Sequence, residues 1–168
     1  KNTRFGGNGM TRSLADGDSI HILPAVAGGA EISREDMQRY SRQIMLEEIG
    51  FAGMAKLRNA HVSVIGAGGI GNPVITQLTA MGIGKLKIVD RDVIEISNLH
   101  RQHLYTDEDI GKVKVEAALE KLRKINPQVE IEAVPTSVTI YTAEDLVKGS
   151  DIVIDALDSI EARYALND

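Results

Sequence analysis

The apolar run His61-Val62-Ser63-Val64-Ile65 passes directly into Gly66-Ala67-Gly68-Gly69-Ile70-Gly71, and a helical pattern with Val74, Leu78 and Met81 follows, ending at Gly82. A strand, a glycine-rich turn and a helix in immediate succession leave few folds open. In such a unit the first glycine permits the tight turn, the second lets an anion approach the backbone, and the third lets the helix pack closely on the strand. The free backbone N–H groups of the helix N-terminus then face the anion. The plain alternative is a tight turn with no ligand. Asp90 argues against it. It closes a second strand, Lys85–Asp90, nineteen positions after Gly71, where a carboxylate can accept hydrogen bonds from both ribose hydroxyls.

The rest of the chain alternates in the same way. Ser33 caps a helix expected to carry Met37, Tyr40, Ile44 and, at its edge, Met45 towards Glu48, with Gly50 as its stop. A short helix is expected through Gly53–Arg58. Asp92–Thr106 reads as irregular. Lys112–Ile125 reads as a helix burying Val115, Ala118, Leu119, Leu122 and Ile125, and Asn126-Pro127 ends it. A third strand is expected at Val129–Val134, a short helix at Thr142–Lys148, a fourth strand at Asp151–Asp155 and a helix at Ser159–Leu166. Strands alternating with helices predict an α/β fold. The expected form is Rossmann-like, a doubly wound and mainly parallel sheet with flanking helices, its ligand edge at the carboxyl ends of the strands.

Composition narrows the function classes. The 168 residues carry 19 basic and 24 acidic side chains, a formal charge of −5, which disfavours a nucleic-acid partner. Cysteine is absent, which excludes disulfides, thiolate zinc sites and cysteine nucleophiles within these residues. No apolar run approaches the roughly 20 residues of a membrane span, and no leader pattern is visible, so no membrane is expected and a cytoplasmic location is. The chain opens on Lys1 and closes on Asp168 just inside a helical pattern, so a fragment of a longer protein is expected.

The glycine loop and Asp90 alone would suit an NAD-dependent oxidoreductase. The cations beyond them point elsewhere. Arg101 and Lys114 lie downstream of Asp90, and Arg39 and Arg42 lie on the first helix. That set suits a triphosphate. Asp158, at the carboxyl end of the fourth strand, is a candidate Mg²⁺ ligand. Arginine, lysine and magnesium together stabilise the charge that develops in phosphoryl or nucleotidyl transfer.

Six segments occur in order: Arg39-Tyr40-Ser41-Arg42-Gln43, Gly66-Ala-Gly-Gly-Ile-Gly71, Asp90-Arg-Asp92, Ser97-Asn98-Leu99-His100-Arg101-Gln102, Gly111-Lys-Val-Lys114-Val-Glu116 and Asp155-Ala-Leu-Asp158. Together, over residues 33–168, they resemble the adenylyltransferases related to ubiquitin-activating enzymes, in the MoeB/ThiF branch that activates sulfur carriers for molybdopterin and thiamine synthesis. The resemblance implies ATP on Gly66, Gly68, Gly69 and Gly71, ribose on Asp90, and phosphates at Asn98, Arg101 and Lys114. It implies Mg²⁺ on Asp158, with Ser97 and Ser159 in the same nucleotide-binding set. Arg42 would reach into the other subunit of a homodimer. The implied reaction is attack of a carrier's C-terminal glycine carboxylate on the α-phosphate of ATP, releasing pyrophosphate. A non-catalytic nucleotide-binding or dimerisation module is the remaining alternative.

Residues 1–29 differ in texture. Asp16-Gly17-Asp18, the alternating Ser19–Leu23, Pro24 and the tail to Gly28-Gly29 resemble the C-terminus of a MoaD-type ubiquitin-like sulfur carrier, a β-grasp protein. The expected division is thus a carrier tail at 1–29 and the ATP-binding half of an adenylyltransferase at 30–168. Gly29 is followed by Ala30, so its carboxyl is locked in a peptide bond unless the chain is cut there. Otherwise the substrate is a separate carrier; the bland alternative for Gly28-Gly29 is a linker. Two further points qualify the likeness. Ser159 stands where the family usually has asparagine, and the zinc-binding cysteine pairs common in the family would lie beyond Asp168. His100-x-x-His103 has metal-ligand spacing but no third ligand.

Overall fold

A computed structural model of the protein describes residues 32–167; the carrier-like tail at 1–29 lies outside the described residues. Four strands, β1 (His61–Ile65), β2 (Lys85–Val89), β3 (Glu130–Val134) and β4 (Ile152–Asp155), form one sheet in the order β3-β2-β1-β4. Every pairing is parallel. The chain leaves β1 towards β2 on one side and returns to its other side as β4. That reversal opens a crevice at the carboxyl ends of β1 and β4, the place where open α/β sheets bind ligands.

The larger core lies on one face of the sheet. Val62, Val64, Leu86, Ile88 and Ile131 pack there against Ile75 of α4 (Gly71–Met81) and Val115, Ala118 and Leu122 of α5 (Lys114–Ile125). On the other face Ile65 and Val89 meet Leu146 of α6 (Ala143–Val147). The last helix, α7, spans Ile160–Asn167.

The expected first helix is broken. α1 (Arg34–Arg39) opens with Ser33 and Asp36 capping each other, and Asp36 also pairs with Arg58 at 3.2 Å. The helix stops at Tyr40 and a single turn, α2 (Ser41–Ile44), follows. The cause is tertiary. Tyr40 is buried, its ring lies against Gly82, and its Oη accepts a hydrogen bond of 2.7 Å from Asn126 Nδ2 at the end of α5. Met45 is exposed rather than at the edge of a buried stripe. Gly50, expected as a stop, opens α3 (Gly50–Asn59). Two further corrections fall on α5. It begins at Lys114, because Val93 and Val113 form a bridge that keeps the preceding residues extended. Ile125 is exposed at its end, and Ala117 takes a buried place instead. Arg39 pairs with Glu35 at 3.9 Å and donates to the Ile125 carbonyl, a structural rather than a phosphate-binding use.

Candidate functional site

The glycine loop has the geometry that its spacing predicts. Gly66 has φ +105°, and a Cβ there would lie 2.6 Å from the Ala156 carbonyl oxygen. At Gly71 a Cβ would sit 1.8 Å from the Gly66 carbonyl oxygen, so α4 meets the turn backbone to backbone. Gly68 is different: the nearest atom to its Cβ position is Gln102 Nε2 at 3.9 Å. That open backbone face fits a phosphate, and the eleven-residue α4 aims its N-terminus at it.

Asp90 stands just past β2 and is already engaged. Its Oδ2 accepts from Ala67 N and its Oδ1 from Asp92 N, each at 2.8 Å. It therefore braces the glycine loop, and each oxygen retains a lone pair for a hydroxyl donor. The turn Ile96–Asn98 and the residues after it carry the polar set. Asn98 is held by Glu95, whose N donates to Asn98 Oδ1 at 3.2 Å. Arg101 lies over Gly69, its Cδ 3.4 Å from the Cβ position, and Nη1 donates to the Ser97 carbonyl at 2.8 Å. Asn98 and Lys114 line one cavity of about 210 Å³ together with Asp92, Val93 and Glu95. Lys114 Nζ meets Asp92 Oδ2 at 2.9 Å.

The turn after β4 completes the crevice. Ala156 packs on Gly66 and Gly71, which brings Asp155–Asp158 to the loop. Asp155 accepts from Leu157 N and pairs with Arg163 at 3.3 Å, while Arg163 Nε also donates to the Leu157 carbonyl. Asp158 is exposed and has no hydrogen bond or ion pair among the described residues. A carboxylate left free in this way suits Mg²⁺, which takes few protein oxygens and keeps its waters. Two assigned serines are otherwise occupied: Ser97 Oγ donates to Glu95 and Ser159 Oγ accepts from Ala162 N at the start of α7. His100 and His103 are both exposed, and among the described residues no three metal-ligating side chains cluster.

Arg42 is exposed and makes no side-chain hydrogen bond or ion pair with the residues of this crevice. Its neighbour Gln43 donates to the Met81 carbonyl at 3.1 Å, at the far end of α4 from the glycine loop. Ten helical steps separate Gly71 from Met81, about 15 Å at 1.5 Å per residue.

Several supporting residues escape a reading of the sequence. Buried Tyr105 donates to the Ala67 carbonyl at 3.2 Å, and Asn72 Oδ1 accepts from Leu104 N at 3.0 Å. Burial, reinforced by the Asp90 charge, raises the phenol well above its ordinary range, so Tyr105 remains a donor. Asp109 anchors the same loop by accepting from Thr106 and pairing with Lys112 and Lys121. Burial alone would raise its carboxyl, but these donors outweigh it and hold the group well below the usual carboxylate range. The glycine loop and the Asn98–Arg101 segment are thus stitched into one rigid rim. The partners of Tyr105 and Asn72 lie more than thirty residues away in the chain, and no local pattern announces those contacts.

Comparison with known proteins agrees with this geometry. A sulfur carrier protein adenylyltransferase of Thermus thermophilus is 43% identical over 136 residues, covering 81% of this chain and 50% of that protein. A SAMP-activating enzyme of Haloferax volcanii is 45% identical over 132 residues, covering 79% and 49%. The chain therefore spans about half the length of these curated relatives. Among solved structures, E. coli tRNA N6-threonylcarbamoyladenosine dehydratase in complex with ATP superposes with a TM-score of 0.77 at 30% identity, covering 82% of this chain and 56% of the other. Residues 40–168 match the sequence pattern of the ThiF family, and with the glycine loop, the Asp90 brace and the Asn98–Lys114 rim in place the chain belongs to that family.

Proposed function

We propose that this chain is the ATP-binding half of an adenylyltransferase acting on the C-terminal glycine of a ubiquitin-like sulfur carrier. The observation that carries this reading is the gathering of donors at the glycine loop and the cavity beside it: Arg101 lies over Gly69, and Asn98 and Lys114 line the cavity with Asp92, whose N donates to the Asp90 that braces the loop. Two phosphates are served by a glycine loop alone; a third calls for such extra donors. The open face at Gly68, the braced Asp90 and the names of the relatives support ATP as the nucleotide.

In this reading the α4 N-terminus and Arg101 hold the triphosphate, Asp90 accepts from the ribose, and Lys114 faces the phosphate where charge develops. The carrier carboxylate oxygen bonds to the α-phosphorus and the bond to the pyrophosphate oxygen breaks. No side-chain nucleophile is needed; the residues position and neutralise. Asp158 would hold Mg²⁺, which supplies charge neutralisation on the leaving pyrophosphate. Residues 1–29 are proposed as a carrier tail, whose Gly29 carboxyl becomes a substrate only after cleavage before Ala30; otherwise the carrier is a separate chain.

Thermal unfolding of the intact protein with ATP·Mg²⁺ and with NAD tests the nucleotide. ATP·Mg²⁺ at a hundred times its Kd should add about 2.7 kcal/mol of apparent stability, and NAD little. Preferential stabilisation by NAD would replace the adenylyltransferase reading with an oxidoreductase.

The position of Arg42 supports a homodimer in which this side chain serves the partner's crevice. An arginine suits the role because its fork grips two phosphate oxygens and stays charged at any working pH. Inactive Arg42→Ala and Asp158→Ala proteins, mixed under subunit exchange, should regain roughly a quarter of wild-type pyrophosphate exchange. Half of the dimers are then mixed, each with one intact site of two. Verified exchange without recovered activity would remove the trans arrangement.

A further inference from the structure

We propose that Asp92 is a positioning residue of this site, setting the Lys114 ammonium and tying its place to the glycine loop. The proposal rests on the adenylation reading above. Lys114 is an unusual lysine. It opens the twelve-residue α5, next to the positive end of the helix dipole, and its side chain is only 7% exposed. Both conditions disfavour an ammonium, which is seldom buried without a partner. Among the described residues its one carboxylate partner is Asp92, at 2.9 Å. The main chain repeats the link, since Lys114 N donates to the Asp92 carbonyl at 3.0 Å. The bridge between Val93 and Val113 fixes the two segments in register.

Asp92 is itself anchored. Its N donates to Asp90 Oδ1, and Asp90 Oδ2 accepts from Ala67 N in the glycine loop. A continuous path thus runs from the loop through Asp90 and Asp92 to the lysine. The Asp92 side chain is 55% exposed and lines the cavity shared by Asn98 and Lys114. It therefore faces the same cavity as the Lys114 ammonium.

This arrangement separates binding from catalysis. An acid beside the phosphates repels them, so it offsets part of the attraction of the lysine in the ground state. It also holds the ammonium at one point, which matters most when charge develops and misplacement is costly. Loss of the carboxylate should consequently lower kcat far more than it changes KM for ATP.

The test uses the intact protein with Asp92→Asn, Asp92→Glu, Lys114→Ala and the double variant Asp92→Asn/Lys114→Ala. In carrier-dependent ATP–pyrophosphate exchange, Asp92→Asn should lower kcat about tenfold while KM for ATP stays within about threefold, and Asp92→Glu should recover part of the rate. In the Lys114→Ala background the Asp92 change should have no further effect. Additive losses, or an Asp92→Asn enzyme with unchanged kcat, would overturn the proposal; a shift in half-saturating Mg²⁺ that persists without Lys114 would make Asp92 a metal ligand instead. Acetylation of Lys114 by an N-hydroxysuccinimide ester, followed by mass spectrometry, reads the same contact without turnover. It should be several-fold faster in Asp92→Asn than in the parent protein, and an equal rate overturns the proposal. An absence of exchange in the parent with the acetylation difference intact would instead count against adenylation.

Discussion

Asp158→Asn should lower magnesium-dependent pyrophosphate exchange by about two to three orders of magnitude, the scale of losing one preorganised group that stabilises transition-state charge. The fold should scarcely register the change. Asp158 is exposed, and among the described residues it holds no hydrogen bond or ion pair. The turn that carries it is secured by Asp155 and Arg163 instead. Surface substitutions of this kind usually move stability by less than about 0.5 kcal/mol, so the unfolding midpoint should stay in place. Asparagine keeps the shape and a carbonyl oxygen but loses the charge. If exchange survives at the parent level, Asp158 is no metal ligand; if stability falls in step with activity, its role is structural. Asp90 would be a poorer probe, because its carboxylate braces Ala67 and Asp92 and its removal mixes binding with loop order.

Gly71→Ala should do the opposite, removing the fold before any chemistry can be measured. The added Cβ would lie 1.8 Å from the Gly66 carbonyl oxygen and 2.8 Å from its carbon. Both are backbone atoms of the turn, with no flexible side chain to move aside. Relief requires α4 to shift from β1, which disturbs Ile75 and the core beneath it. Overpacking typically costs 1–3 kcal/mol, and a backbone clash of this depth should exceed about 3 kcal/mol. A domain holds only about 5–15 kcal/mol in total, so urea unfolding should show a large loss or no cooperative transition. Gly68→Ala is the matched control. Its Cβ would meet nothing closer than 3.9 Å, so it should fold normally and lose affinity for ATP. Equal stability of Gly71→Ala and the parent protein would mean that helix and turn do not meet as closely as described.

Local chemistry made much of this protein legible from its sequence. The order of strands and helices follows from periodicity and from the residues that stop them, and Gly66 and Gly71 take the tight turn and the close helix packing that their spacing assigns, with the backbone at Gly68 left open. Asp90 was identifiable because the distance from a glycine loop to the end of the next strand is set by one helix and one turn. The residues that failed to announce themselves depend on partners far along the chain. Tyr40 breaks the first helix because Asn126, 86 positions later, takes its hydroxyl. Lys114 is singled out by its motif, but the burial of its ammonium and its partner Asp92, 22 positions earlier, are visible only in the fold. Arg42, which the resemblance assigns to the crevice of a second subunit, stands next to Gln43, whose side chain meets the Met81 carbonyl at the end of α4 away from the glycine loop. What the sequence determined by itself was the order of elements after the first helix and the tight glycine turn between β1 and α4, since both arise from backbone sterics and short-range periodicity. Which charges meet and which polar groups are buried were decided only by tertiary structure, because those outcomes depend on distances created when segments remote in the chain pack together.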